Sequence, residues 1–429
     1  MKKKYRIILY TSIFLLCVVA SIILVVKKSN SVYEEESKPK VVKHKSMLSM
    51  NLEQTAGSGD YKTVTQSSWP TEGYKFNAEL SRCENGSTLS WDDTKKAVIV
   101  SGNLSDKCYV YFDIYQPTLA EYIKSQYTGT QGDNALYYHN STLTNGAGDN
   151  SYRYAGANPN NFVCFGSDAS PCPIDNLYRI IGVFGENYHG ANGKQLVKLI
   201  KYDYMTTDEL GTDGDYSQTY KEWGMDSTYK GTYGDGERIG VYYWNYKATG
   251  SATNTWSTSL LNKTNLNTNF INNIGTTWAN KIATVTWKVG GNTWANIGTK
   301  TSSVAYTNEI TNPVTTNTTD NATTYSAKIG LMYVSDYGFA ASPDAWTLTM
   351  SSYNNTTATN NNWMYMGLYE WTISRDADRS DRAFDVDFGG NVSNFNVHGN
   401  YGVRASFNLE SSVSYVSGSG SMSDPIVIN

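Results

Sequence analysis

Apolar and polar positions along the chain divide it into four stretches. The first is an uncharged, mostly apolar run from Ile7 to Val26, flanked by Lys2, Lys3, Lys4 and Arg6 before it and Lys27 and Lys28 after it. About twenty residues rising about 1.5 Å each cover roughly the 30 Å of a bilayer core, so a transmembrane helix is predicted within residues 1–28. Residues 29–58 show no sustained apolar period. With EEE at 34–36 and KPKVVKHK at 38–45, they read as a polar stalk. Residues 59–117 alternate in short runs, YKFNAEL at 74–80, KAVIVSG at 96–102 and CYVYFDIY at 108–115, separated by ENGS and GNLSD turns. That pattern predicts a small β domain.

The fourth stretch, 118–429, mixes both periods and predicts an α+β domain. TLAEYIKSQY at 118–127 spaces Leu119, Ile123 and Tyr127 for a helix, and LYRIIGVFG at 177–185 and KQLVKLIKYD at 194–203 read as two strands. RIGVYYWNY at 238–246 reads as a further strand. WSTSLLNKTNLNTNFINNI at 256–274 places Trp256, Leu260, Phe270 and Ile274 on one helical face with Leu266 between them. KIATVTWKV at 281–289 and KIGLMYVSDYGFA at 328–340 return to strand character, and the nearly apolar-free 307–326 between them reads as a long loop. Near the C-terminus Phe384, Val386 and Phe388 alternate with Asp385 and Asp387 before a turn at Gly389, Gly390 and Asn391. YGVRASFNL at 401–409 alternates again, so both runs read as half-buried antiparallel strands.

The length of the N-terminal apolar run and the lack of small residues at its end favour an uncleaved anchor over a cleaved signal or a lipid anchor at Cys17. The cations before it place the N-terminus in the cytoplasm and everything after Lys28 outside. No acidic residue precedes position 29, so the exported part holds all 39 acidic residues against 29 of the 35 basic ones, a net charge of −10. That balance argues against a nucleic-acid partner, because such affinity comes largely from Lys and Arg neutralising phosphates.

An oxidising exterior gives the cysteines their meaning. Four of the five follow the anchor, in two pairs close in sequence: Cys83 with Cys108, and Cys164 with Cys172. Four cysteines allow three pairings, and the nearest-neighbour pairing keeps each bridge inside one domain. Zinc would want shorter spacings and nearby His, and no His lies within fifteen residues of Cys172. The cysteines are therefore expected to be disulfides.

A family resemblance rests on these motifs. LYRIIGVFG, KQLVKLI, YYWN, WSTSLL, KIGLMYVSDYGFA, the GGNV turn and YGVRASFNLESSV followed by SGSGSMSDPIVI resemble a motif order of uncharacterised bacterial cell-surface proteins. Their C-terminal domain is similar to the fold shared by formylglycine-generating enzymes and C-type lectins. The resemblance implies a C-type lectin-like α+β domain over 118–429, with the CENGS and DKCYVYFD motifs of the β domain in front. The enzyme branch of that fold carries late reactive cysteines. This chain has none after Cys172, so that chemistry does not transfer, and fold kinship assigns no activity by itself.

Candidate chemistry is sparse. SRDADRSDRAFDVDFGG at 374–390 interleaves Asp376, Asp378, Asp381, Asp385 and Asp387 with Arg375, Arg379 and Arg382, which reads as a surface ion-pair network rather than a calcium site. His139, His189 and His398 sit in Gly- or Asn-rich loops, and neither GxSxG nor HExxH accompanies them. Arg404 reads as the anchor of a buried pair. The chain holds 34 Tyr and 11 Trp, residues favoured at contact surfaces. The candidate binding set is Trp363, Tyr369, Trp371, Arg375, Asn394, Asn396 and His398, with no catalytic residue, no cofactor and no firm metal. The expected function is non-catalytic recognition of a glycan or cell-surface ligand by a membrane-anchored extracellular protein. An extracellular enzyme acting on an envelope or matrix polymer, or a purely structural envelope protein, is the alternative.

Overall fold

The computed structural model describes residues 48–65, 68–70, 73–103, 105–185, 193–224, 226–249, 252–313, 322–354 and 356–429. The expected membrane span, the stalk up to residue 47 and His189 lie outside them. Among the described residues no helix is long and apolar enough to cross a membrane. The chain is a mixed α+β protein with two disulfides, and it divides into two units at Gln116 and Pro117.

The first unit is all β. Its strands are β1 (Leu48–Glu53), β2 (Tyr61–Val64), β3 (Tyr74–Phe76), β4 (Arg82–Cys83), β5 (Thr88–Asp92), β6 (Ala97–Ser101) and β7 (Cys108–Ile114). β1 begins within the segment read as stalk, where it pairs in parallel with β7, so the β unit starts earlier than position 59. The sheet order is β2-β1-β7-β3 with β4 also on β7, and β5 and β6 form a separate hairpin. Phe112 of β7 centres a thin core, within 5.9 Å of the Trp69 and Phe76 rings and 5.6 Å of Trp91. Cys83 and Cys108 are direct cross-strand partners and are bonded. The CENGS turn closes on Asp106, whose carboxylate accepts from the Asn85 and Ser87 backbone amides and the Asn85 side chain. That contact ties the CENGS turn to the DKC segment.

The second unit is built on a seven-stranded antiparallel sheet. After β8 (Leu136–Tyr138), β9 (Tyr152–Tyr154), β10 (Phe162–Cys164), β11 (Leu177–Phe184) and β12 (Leu196–Lys201), the chain leaves the sheet. It forms β13 (Tyr216–Thr219), β14 (Gly240–Tyr242), β15 (Val285–Lys288) and β16 (Thr324–Ala327), then returns with β17 (Ile329–Gly330). A second excursion holds β18 (Glu370–Arg375), β19 (Arg382–Val386) and β20 (Val392–Asn396), and β21 (Ser406–Asn408) closes the sheet next to β12. β22 (Tyr415–Ser417) and β23 (Val427–Ile428) pair at the end of the chain. The main order is β17-β21-β12-β11-β9-β8, with β10 on β11. Every residue of β11 and β12 is buried, because one apolar cluster covers each face: Ile180 and Val183 point into one, Ile181 and Phe184 into the other. At the irregularity between Ile180 and Gly182, a Cβ on Gly182 would lie 2.2 Å from the Tyr152 carbonyl, so no other residue fits there. Cys164 at the end of β10 is bonded to Cys172 in the loop before β11.

Buried ions brace this unit. Lys198 Nζ lies 2.5 Å from Asp336, and Arg153 lies 2.6 Å from Asp149, which also accepts from Tyr306 at 2.7 Å. Arg404 is the expected anchor of a buried pair: its Nε donates to Glu370 at 2.8 Å and its Nη2 to the Met364 carbonyl. His139 is buried against Phe339 and Trp346, with Nδ1 accepting from the Ala147 amide.

Several expectations change on folding. Helix Leu119–Ser125 forms as its spacing predicts, capped by a reciprocal Thr118 and Glu121 box. Residues 261–270 are helical but as a π-helix, and an i to i+5 repeat aligns Leu261 with Leu266 and leaves Leu260 exposed. KIGLMYVSDYGFA is strand only at Ile329–Gly330; Val334–Ala340 is a helix, with Asp336 closing its N-terminus on Tyr333. Residues 307–311, expected as loop, continue a helix, and 314–321 lie outside the described residues. β19 is not half-buried, since Asp385 is as buried as Phe384. The segment 374–390 is not a surface ion network either. Arg375, Asp376 and Asp385 are buried, and the ion pair its residues form is Arg379 with Asp381 at 3.6 Å.

Candidate functional site

β19 is the middle strand of the small sheet β18-β19-β20, and its register decides what each side chain can reach. Directly opposed residues of antiparallel strands share a face. Phe384, Val386 and Val392 therefore fall on one face, inside an apolar cluster. Trp371, Asp385, Ser393, Ala383 and Phe395 fall on the other.

That second face carries aromatic rings from several elements. Tyr401 is the hub: Trp371 lies 4.4 Å from it, Tyr369 stacks on it at 4.8 Å, Phe395 lies at 5.6 Å and Trp223 at 6.0 Å. Phe388 extends the group at 5.4 Å from Tyr369. Tyr401 and Trp371 are buried, whereas Trp223, Phe388 and Phe395 are 39, 41 and 49 % exposed. The outer rings thus form an apolar surface on a packed aromatic base. Beside it, Tyr243 and Tyr246 stack at 4.7 Å, and the His398 ring lies 5.6 Å from Tyr246.

Asp385 sits beneath this surface. It is 1 % exposed and its Oδ1 has no hydrogen-bond partner among the described residues. Burial first, then the charge of Asp387, push its carboxyl well above the usual carboxylate range, against the opposing pull of Arg382. Asp387 is spent locally: its carboxylate accepts from the Gly389 and Asn391 backbone amides and the Asn391 side chain, holding the turn.

The candidate residues read from the sequence separate into two groups. Tyr369 and His398 lie at the aromatic face. Trp371 lies in its base, with Nε1 donating to the Tyr242 carbonyl, and so supports the surface without reaching solvent. Trp363 is buried under the Arg179 guanidinium and donates to the Tyr154 carbonyl. Arg375 is buried, with Nε on the Val289 carbonyl. Asn394 is on the opposite face, donating to Asp376 and accepting from Arg382. Asn396 caps a turn by accepting from the His398 amide. Trp223, Phe388, Phe395, Tyr401 and Asp385 were not singled out as ligand contacts by sequence reasoning. The one legible signal was parity: Phe395 is out of step with Val392, which points it away from the Phe384 and Val386 core.

No group of three or more His, Cys, Asp or Glu side chains is placed to hold a metal among the described residues. Of the aspartates weighed for calcium, Asp376 is taken up by Asn394 and by the Asp378 amide, and Asp387 by the Gly389 and Asn391 amides. No family model, curated protein or solved structure matches the chain.

Proposed function

We propose that this chain is a membrane-anchored extracellular protein whose second unit binds a glycan or cell-surface ligand without catalysis. The observation that carries this reading is the exposed ring surface of Trp223, Phe388 and Phe395 packed on Tyr369 and Tyr401 over the buried Asp385. Flat rings stack on the apolar faces of sugars, and their area is available at little rotamer cost. The apolar run Ile7 to Val26 supports the anchor, and the two disulfides support an oxidising exterior. A C-type lectin-like fold remains our reading of the second unit. It is supported by the way neighbouring strands β12 and β21 are separated by long excursions that hold all of the ring surface.

The test is a glycan array probed with chain produced in an oxidising compartment, beside the Trp223→Ala and Phe395→Ala variants. Wild type is expected to select a glycan, and each variant to weaken binding about tenfold, roughly 1.4 kcal/mol. An array with no selected glycan, or variants that bind like the parent, would overturn the reading.

A further inference from the structure

A groove of about 300 Å³ lies on the second unit and shares no residue with the aromatic face. It is lined by Tyr122 and Gln126 of the helix Leu119–Ser125 and its end, Asn134 before β8, Asn158 and Asn160 before β10, and Ser419 near the C-terminus. Its volume is at the lower end of the roughly 300–1,000 Å³ of small-molecule sites.

Its walls are fixed by the fold. Tyr122 stacks face to face on Tyr415 at 3.7 Å, which holds one wall flat. Asn134 takes a left-handed backbone with φ 55°, and its amide donates to the Gln126 carbonyl. The opposite wall is clamped by backbone bonds: Phe162 N to Gly420 O at 2.8 Å, and Ile426 N to Phe162 O at 2.9 Å. Gly420 approaches so closely that a Cβ there would lie 2.5 Å from the Asn160 carbonyl. The side-chain amides of Asn158 and Asn160 make no hydrogen bond among the described residues and are exposed. The frame is held while the amides are left available.

The chemistry of the lining is selective. None of the described residues lining it is charged, and the Asp424 carboxylate beside it accepts from the Ser419 backbone amide, so the groove offers no counter-ion to a phosphate or a carboxylate. The Asn158 and Asn160 amides each present one donor group and one acceptor. A ligand matching that set must alternate donors and acceptors, carry no negative charge and have an apolar face for the Tyr122 ring. We propose that the groove is a separate binding site for a short neutral saccharide.

Saturation-transfer NMR and calorimetry on the full chain in detergent test this, with cellobiose and N,N′-diacetylchitobiose as neutral probes and digalacturonate as the anionic counterpart. Two double variants accompany wild type: Asn158→Ala with Asn160→Ala in the groove, and Trp223→Ala with Phe395→Ala on the aromatic face. All four side chains are exposed, so the fold is expected to persist. At least one neutral probe is expected to bind, tenfold or more weaker in the groove variant and unchanged in the ring variant. Three results would overturn the site: neither neutral probe binds, digalacturonate binds as tightly as they do, or binding survives the groove variant. Binding lost in the ring variant alone removes the groove and leaves the aromatic face standing, so the two sites fail separately.

Discussion

At the scale of single residues, two buried titratable groups act on stability with opposite signs. Asp385 has a folded-state pKa raised by desolvation, so the folded protein holds a proton that the unfolded chain releases above about pH 4. Its contribution is complete below that pH and is lost as pH rises toward its folded value. Asp385→Asn keeps the shape and removes the titration. The variant is expected to melt at a higher temperature than the parent at pH 8 and no higher at pH 4, with each unit of pKa elevation worth about 1.4 kcal/mol. Thermal melts across that range check it, and equal pH slopes in the two proteins would refute it. His139 behaves in the reverse sense. Burial first, and Arg153 second, lower its folded pKa well below 6.5, against the pull of Asp149. Stability is then present above the unfolded pKa of about 6.5 and is lost as pH falls below it. His139→Phe keeps a ring against Phe339 and Trp346 and is expected to flatten the loss between pH 6.5 and 4.5, whatever its offset at pH 7.

Elements show what the pattern along the chain can and cannot carry. Helix Leu119–Ser125 and β15 were legible from their periods, β11, β12 and β14 as short apolar runs, and β19 and β20 as strands on either side of a turn, although the alternation of β19 does not mark a solvent face. The 256–274 helix was legible as a helix and misread in phase, because a 3.6-residue period places Leu260 inward whereas the i to i+5 repeat selects Leu261 and Leu266. Its asparagines also have a structural task that composition hides. Asn267 both donates to and accepts from Ile329 of β17, and Asn265 bonds the Leu210 and Asp213 carbonyls, so side-chain amides tie the helix into its surroundings as a strand edge would. The candidate site was half legible. Its aromatic content was visible, but Trp371, expected at the ligand, lies in the buried base, and Phe395, not singled out, lies on the surface; the register of β18, β19 and β20 that decides this depends on pairing that no local window contains. The difference between the two rings is testable. Trp371→Phe leaves out the bond to the Tyr242 carbonyl and shrinks a packed base, and is expected to lower stability by about 1–3 kcal/mol in urea titrations. Phe395→Ala, on the exposed face, is expected to stay within about 0.5 kcal/mol of the parent. A Phe395 variant that unfolds as readily as the Trp371 variant would place Phe395 in the core.

For the whole molecule, each disulfide closes within its own unit, and the two units differ in how much they depend on it. Among its described residues the first unit has a small cluster of buried apolar side chains around Phe112, namely Met50, Leu52, Val98 and Val110. A core that small supplies little surplus over chain entropy. The Cys83 to Cys108 bridge spans 25 positions and, in the chain-entropy model, removes about 3.5 kcal/mol of unfolded-state freedom. In the second unit the Cys164 to Cys172 bridge spans 8 positions, worth about 2.5 kcal/mol, set against a far larger core clustered on both sides of β11 and β12. The bridge that stabilises more therefore sits in the unit with the smaller core. Calorimetry is expected to show a transition of the first unit that drops steeply, or vanishes, in Cys83→Ser with Cys108→Ser. In Cys164→Ser with Cys172→Ser the transition of the second unit should persist at a moderately lower temperature. If the second unit lost its transition while the first kept its own, the disulfides would be bracing the opposite parts of the chain from those their loops and cores indicate.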